Sequence, residues 1–243
     1  MKVKGSVALV TGGAKRIGRE VALALAARGA HVAITYNSSE ADARRTVAAI
    51  RKKKVRGFAV RVDQRSAAEV HAAVRKILAH FGRIDVLVNS ASSFAPVSLA
   101  GVTESGWEED IRTNLAGPWW FARAAGLSMK RRGRGAIINM IDVSVFSPWP
   151  DHLPYSAAKG GLLTLTRGLA KALAPEVRVN GIAPGPILFP PGTSRREKQK
   201  AIEATLLKRS GAPADIARTV LFFIESDFVT GVILPVDGGR LLA

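Results

Sequence analysis

The chain has 243 residues, 47% of them hydrophobic, enough to fill the core of one α/β domain. It has no cysteine, which excludes disulfides and thiolate metal sites and accords with a reducing cytoplasm. Its net charge is +17, and no stretch approaches the ~18 apolar residues of a bilayer span, so a soluble, cytoplasmic protein without a membrane partner is expected. In chain order, a strand at 7–11 leads through a glycine-rich turn to a helix ending near 28, then a strand at 31–35 and a helix at 42–53. Strands at 58–62 and 86–88 flank a helix at 67–80. A long helix at 107–131, a strand at 136–141, a helix at 155–173 and a strand at 177–182 follow. A helix at 214–223 and a strand at 232–236 close the chain. Continuous apolar strands alternating with amphipathic helices predict an α/β class: one doubly wound parallel sheet of the Rossmann type, covered on both faces. Ligands of such sheets sit at the carboxyl ends of the strands.

The charge excess could signal a nucleic-acid partner. It is gathered in short runs at 51–56, 130–134 and 195–200, the first two at the C-terminal ends of predicted helices. Cations there complement the helix dipole, so nucleic acid is not expected, and the positive field suits an anionic cofactor and substrate.

The first turn reads Thr11-Gly12-Gly13-Ala14-Lys15-Arg16-Ile17-Gly18. Glycines between a strand and a helix start let the backbone approach a pyrophosphate at the helix N-terminus. An acid at the end of the second strand would bind a ribose 2′-hydroxyl, but Thr35-Tyr36-Asn37-Ser38-Ser39 offers none. Lys15, Arg16, Ser38 and Ser39 suit a 2′-phosphate instead, which points to NADPH rather than NADH.

Tyr155 and Lys159 lie one turn apart on one face of a predicted helix. A neighbouring ammonium lowers a phenol's pKa, and such a phenol can serve as general acid in a carbonyl or imine reduction. Asn114 precedes Pro118 by four residues inside a predicted helix. Proline has no N–H to bond the carbonyl of Asn114, which is left to hold a water.

Taken together, the glycine turn, Asp63, Asn89-Ser90-Ala91-Ser92, Asn114, Tyr155/Lys159 and Pro184-Gly185 resemble the short-chain dehydrogenase/reductase family along the whole chain. The resemblance implies Tyr155 as proton donor, Lys159 as ribose holder and tuner of Tyr155, and Asn114 as carrier of a proton-relay water. It places Asp63 and Gln64 near the adenine, and Asn89, Ala91, Ser92 and Met140 along the cofactor cleft. Gly12, Lys15, Arg16, Ile17, Gly18, Tyr36, Asn37 and Ser38 would hold the phosphates and ribose, with Asn180, Pro184, Gly185 and Ile187 beside the nicotinamide. A homotetramer built on the helices at 107–131 and 155–173 is implied, with a small substrate loop and helix region about 186–210. That region shows no readable motif at 192–208. Arg240, near the C-terminus, is placed to reach a neighbouring subunit's active site.

Two departures bear on substrate. Arg16 replaces the middle glycine of the phosphate turn, and Asp142 stands 13 residues before Tyr155 where the family carries its catalytic Ser. Ser144 is 11 residues upstream and a poorer substitute. Asp142, Lys15-Arg16-Ile17-Gly18, Ser92-Ser93-Phe94 and the segment at 184–191 are similar to pteridine reductases and bacterial dihydromonapterin reductases. There Phe94 would stack on a pterin. A carboxylate at Asp142 opposes the effect of Lys159 and keeps the proton on Tyr155 longer. The expectation is NADPH-dependent reduction of a pterin or dihydropterin C=N bond. The alternative is a 3-oxoacyl thioester or other small-carbonyl ketoreductase. More remote is a non-catalytic, NADPH-sensing or nucleic-acid-binding protein.

Overall fold

Runs such as Val-Ala-Leu-Val and Gly-Ala-Ile-Ile-Asn-Met can be buried along their whole length only if both sheet faces are covered. The computed structural model, which describes Met1–Ala243, shows this arrangement. Strands β1 (Val7–Val10), β2 (His31–Tyr36), β3 (Gly57–Arg61), β4 (Val86–Asn89), β5 (Gly135–Met140), β6 (Val177–Pro184) and β7 (Ile233–Val236) all pair in parallel. Their order, β3-β2-β1-β4-β5-β6-β7, reverses between β1 and β4, the place where a doubly wound sheet opens a crevice.

The helices are α1 (Arg16–Ala27), α2 (Glu40–Arg51), α3 (Ala67–Phe81), α4 (Glu104–Ile111), α5 (Gly117–Arg131), α6 (Leu153–Leu173), α7 (Arg195–Glu203) and α8 (Pro213–Glu225). On one face Val21, Leu25, Ile50, Val220 and Phe223 pack on Val10 and Ile34. On the other, Val74, Ile77, Phe121, Met129 and Leu173 pack on Leu9, Leu87 and Ile137. Truncating a fully buried anchor such as Phe121 to Ala would cost about 3–5 kcal/mol. No helix is long and apolar enough to cross a membrane.

Three features depart from the sequence reading. The single helix expected at 107–131 is two helices joined by a π turn, Arg112–Ala116, with Pro118 in the first turn of α5. Proline's missing N–H prevents the ordinary i→i−4 ladder from running through this point. In the region expected to lack a motif, α7 opens with a reciprocal capping box between Ser194 and Glu197. The C-terminus ends in a short 3₁₀ turn, Arg240–Leu242, after β7.

Candidate active site

A cleft of about 540 Å³ lies along the carboxyl ends of β1, β4, β5 and β6. Its floor depends on glycine. Gly12 has φ +62°, and a Cβ there would lie 2.8 Å from the Cα of Ala91. At Gly18 a Cβ would meet the carbonyl oxygen of Gly12 at 2.5 Å. A side chain at either position would collide with backbone, so the turn can fold this tightly, with its N–H groups near the cleft, only with glycine there. Thr11 pins this turn to the loop after β4, its hydroxyl accepting from the backbone N–H groups of Ser90 (2.9 Å) and Ala91 (3.0 Å). The turn, with the N-terminus of α1 behind it, therefore fits a dinucleotide.

Of the residues expected at the cofactor, Gly12, Lys15, Arg16, Ile17, Gly18, Tyr36, Asn37, Ser38, Ala91, Ser92, Met140, Tyr155, Lys159, Pro184, Gly185 and Ile187 line the cleft. Asp63 and Gln64 line a neighbouring hollow that shares Tyr36, Asn37 and Ala91 with it. Gln64 is engaged there, its Nε2 donating to the carbonyls of Thr113 (2.7 Å) and Ala91 (3.2 Å). Arg65, which the sequence reading passed over, pairs with Asp63 at 2.7 Å and holds its carboxyl below the usual range.

Two asparagines are not at the cleft. Asn89 is buried and donates to Asn139 Oδ1 (2.8 Å) and to the carbonyl of Pro118 (3.2 Å). Asn180 is buried as well, donating to the carbonyl of Val229 and accepting from the N–H of Val232. Both satisfy backbone and amide groups inside the core, as buried polar groups must. Arg240 lines the cleft of its own chain and donates to the carbonyl of Ala201 (3.2 Å).

Arg16 occupies a left-handed conformation, φ +54°, which explains why glycine suits this position. Its guanidinium donates to the carbonyls of Leu188 (3.1 Å) and Phe189 (3.4 Å), strapping the phosphate turn to the loop after β6. It makes no hydrogen bond to Ser38, the partner expected of it at a 2′-phosphate. No acid replaces the missing one at the end of β2, and Glu40 is held by Arg44.

Tyr155 and Lys159 project from the start of α6, which Pro154 opens in its first turn. Both are buried. Lys159 Nζ donates to the carbonyl of Met140 (2.9 Å) and lies 5.5 Å from the Tyr155 ring centroid. Burial lowers the Lys159 ammonium to about 8, against the pull of Asp142 and Asp110. Asp142 closes the group. One carboxylate oxygen caps the turn Val143–Val145 by accepting from the N–H of Ser144 (2.8 Å). The other accepts the Tyr155 hydroxyl at 3.0 Å. Burial first, and the Asp142 carboxylate second, push the Tyr155 phenol well above its ordinary value. The lowering expected from Lys159 alone is therefore overridden. Burial also raises Asp142 itself, against the pull of the Ser144 N–H and Lys159. Ser144 is fully buried and does not line the cleft, whereas Asp142 does.

Phe94 is 40% exposed at the cleft. One face stacks on His152 (centroids 4.2 Å apart, planes 16° apart), and its ring meets Tyr155 edge-on at 4.9 Å. Trp149, 5.8 Å from Phe94, completes an aromatic wall. Trp149 and His152 were missed by the sequence reading because they sit in a Pro-rich loop with no periodicity. Beneath this wall the Asn114 carboxamide accepts from Ser92 Oγ (2.6 Å) and donates to Ser93 Oγ (3.0 Å) and Asp110 Oδ1 (3.0 Å).

Known proteins agree with this geometry at family level. A sequence profile described as Enoyl-(Acyl carrier protein) reductase matches residues 12–240. The chain is 36% identical to a 3-oxoacyl-acyl-carrier-protein reductase of Staphylococcus aureus, over 97% of this chain and 98% of that one. Its fold is similar to FolM alternative dihydrofolate reductase 1 from Brucella canis complexed with NADP, with TM-score 0.91 and 32% identity over 100% of this chain and 97% of that one. It is also similar to a blue fluorescent protein from a metagenomic library in complex with NADPH, with TM-score 0.93 and 34% identity over 99% of both chains. Matching along nearly its whole length, with the Tyr155/Lys159 pair and glycine turn in place, the chain belongs to the short-chain dehydrogenase/reductase family and is an oxidoreductase.

Proposed function

We propose that the chain reduces a pterin or dihydropterin C=N bond with NADPH. One observation carries this reading: the Tyr155 hydroxyl is held by Asp142 at 3.0 Å where the family keeps a serine. A serine hydroxyl can donate to a carbonyl oxygen, whereas an ionised carboxylate only accepts. The bound nicotinamide supplies hydride to the substrate carbon. The chain's own part is to hold a proton at Tyr155 Oη, backed by Asp142, and to deliver it to a ring nitrogen. The Tyr155 phenol is raised by burial and by the Asp142 carboxylate, so it keeps its proton until a basic nitrogen takes it. Lys159 offsets the charge that builds up on the pair. Phe94, with Trp149 edge-on to it, gives an apolar wall for a bicyclic ring. For the cofactor, the absence of an acid after β2 and the presence of Lys15, Arg16 and Ser38 favour the 2′-phosphate form.

A second reading is a 3-oxoacyl thioester reductase, and the curated relatives favour it, since most are named for that activity. The same Tyr155 and Lys159 would then protonate a carbonyl oxygen. The test is NADPH oxidation against dihydropterins, dihydrofolate and an acetoacetyl thioester. Turnover of the thioester alone would overturn the pterin reading, and no turnover of any would overturn both.

A further inference from the structure

We infer that Asp110 is a positioning residue of this site, orienting the Asn114 carboxamide and the segment from Ser92 to Phe94. It rests on the reductase reading above. Asp110 is the last polar residue of α4 and stands one turn before Asn114, across the π turn. No residue of α4 is buried in the core, so Asp110 is not placed there by packing.

Donor and acceptor identity decides which way the Asn114 carboxamide lies. A carboxamide has one donating and one accepting end, and the hydroxyls of Ser92 and Ser93 can play either part. They do not choose between the two orientations of Asn114. An ionised Asp110 does, because it only accepts. Its Oδ1 takes a bond from Asn114 Nδ2 (3.0 Å) and another from Ser93 Oγ (3.0 Å). The amide oxygen of Asn114 then faces Ser92, whose hydroxyl donates to it at 2.6 Å. Ser92 lines the cleft and Phe94 directly follows Ser93, so one carboxylate oxygen fixes both the amide and the aromatic arm beside Tyr155. The charged groups around Asp110 are Glu109 on its own helix, Arg65 through Glu109, His152 before α6, and Lys159 and Tyr155 on α6.

The test compares Asp110→Ala, Asp110→Asn and Ser93→Ala by NADPH titration, steady-state kinetics and crystal structures. Asp110→Ala should lower kcat/KM by about tenfold or more with NADPH affinity within about threefold. Asp110→Asn keeps the size and an accepting oxygen but can also donate, so it no longer selects the orientation of Asn114 and should recover only part of the loss at its own pH optimum. Its basic limb should move to lower pH, because the lost charge no longer supports the Lys159 ammonium or the Tyr155 proton. Unaltered kinetics in Asp110→Ala, or an Asn variant as active as the unmodified enzyme at its own pH optimum, would overturn the inference. Should Asp110→Ala fail to fold, the unshifted pH limb of Asp110→Asn together with unchanged KM in Ser93→Ala would do the same. If no substrate is turned over, the functional reading fails, and the anchor is judged by structure alone. Displacement of residues 92–94 in an Asp110 variant supports it, and an unmoved segment refutes it.

Discussion

Replacing Phe94 by Ala separates the two substrate classes. The ring is 40% exposed, with one face already occupied by His152 at 4.2 Å and its edge against Tyr155 at 4.9 Å. The part of Phe94 that stays exposed lies at the cleft, next to the group that delivers the proton. A flat heteroaromatic ring stacked there gains ~1–3 kcal/mol. At about 1.4 kcal/mol per tenfold, losing it raises KM roughly five- to 150-fold. An acyl chain presents no π face and loses only a few methylene contacts, so its KM should move about threefold at most. His152 keeps its bond to Asp151 (2.9 Å), so the wall should not collapse when the ring is removed. The assay is NADPH oxidation at saturating cofactor with a dihydropterin and with an acetoacetyl thioester, and Phe94→Tyr as the conservative control. Equal KM changes for both substrates, or a drop in kcat with KM unmoved, would refute the stacking argument.

The remaining expectations test the acid pair, the cofactor site and the buried amine. Asp142→Ala should abolish dihydropterin turnover while NADPH fluorescence titration stays unchanged, and Ser144→Ala should be mild; the reverse pattern would assign the role to the serine. Arg16→Gly relieves a left-handed residue worth about 1–2 kcal/mol and loses two exposed carbonyl bonds of about 0.5–1.5 kcal/mol each, so Tm should change little. The same variant should weaken NADPH about tenfold or more relative to NADH, and equal losses would show that Arg16 does not read the 2′-phosphate. Burial favours the neutral amine of Lys159, so activity that needs its charge is present at neutral pH and falls as pH rises through about 8. A kcat/KM profile flat to pH 10 would contradict this, and Lys159→Arg should remove the limb if the charge alone is required.

Most of the fold was legible because its strands are apolar runs bounded by turn residues, a signal that survives without knowledge of partners. Tyr155, Lys159 and Asp142 were legible for a similar reason: they lie within 18 residues of one another, on one strand end and one helix start. What the sequence could not show were pairings between distant segments. Asn89 is drawn into the core by Asn139, 50 residues away, and nothing local to Asn89 announces that partner. Arg16 was readable as a cation at the phosphate turn, but its reach to Leu188 depends on how β6 returns to the cleft. The capping box of α7 was present as Ser194-Arg195-Arg196-Glu197 and was masked by the surrounding charge. Asp110 had a local sign too, four residues before Asn114, which only gains meaning once Ser93 is seen between them.

The π turn at Arg112–Ala116 makes this stretch intolerant of length change. A π turn holds one residue more than the α-helical path it interrupts. Deleting one residue between Asp110 and Asn114 would remove the extra residue of the turn, although Pro118 would still interrupt the hydrogen-bond ladder. It would also rotate α4 by about 100° relative to α5, the advance of one residue. Asp110 would swing away from Asn114, and Glu109 from Arg65. Homologues should therefore vary freely in the composition of α4, whose residues are not buried, yet keep its count of residues to Asn114 fixed.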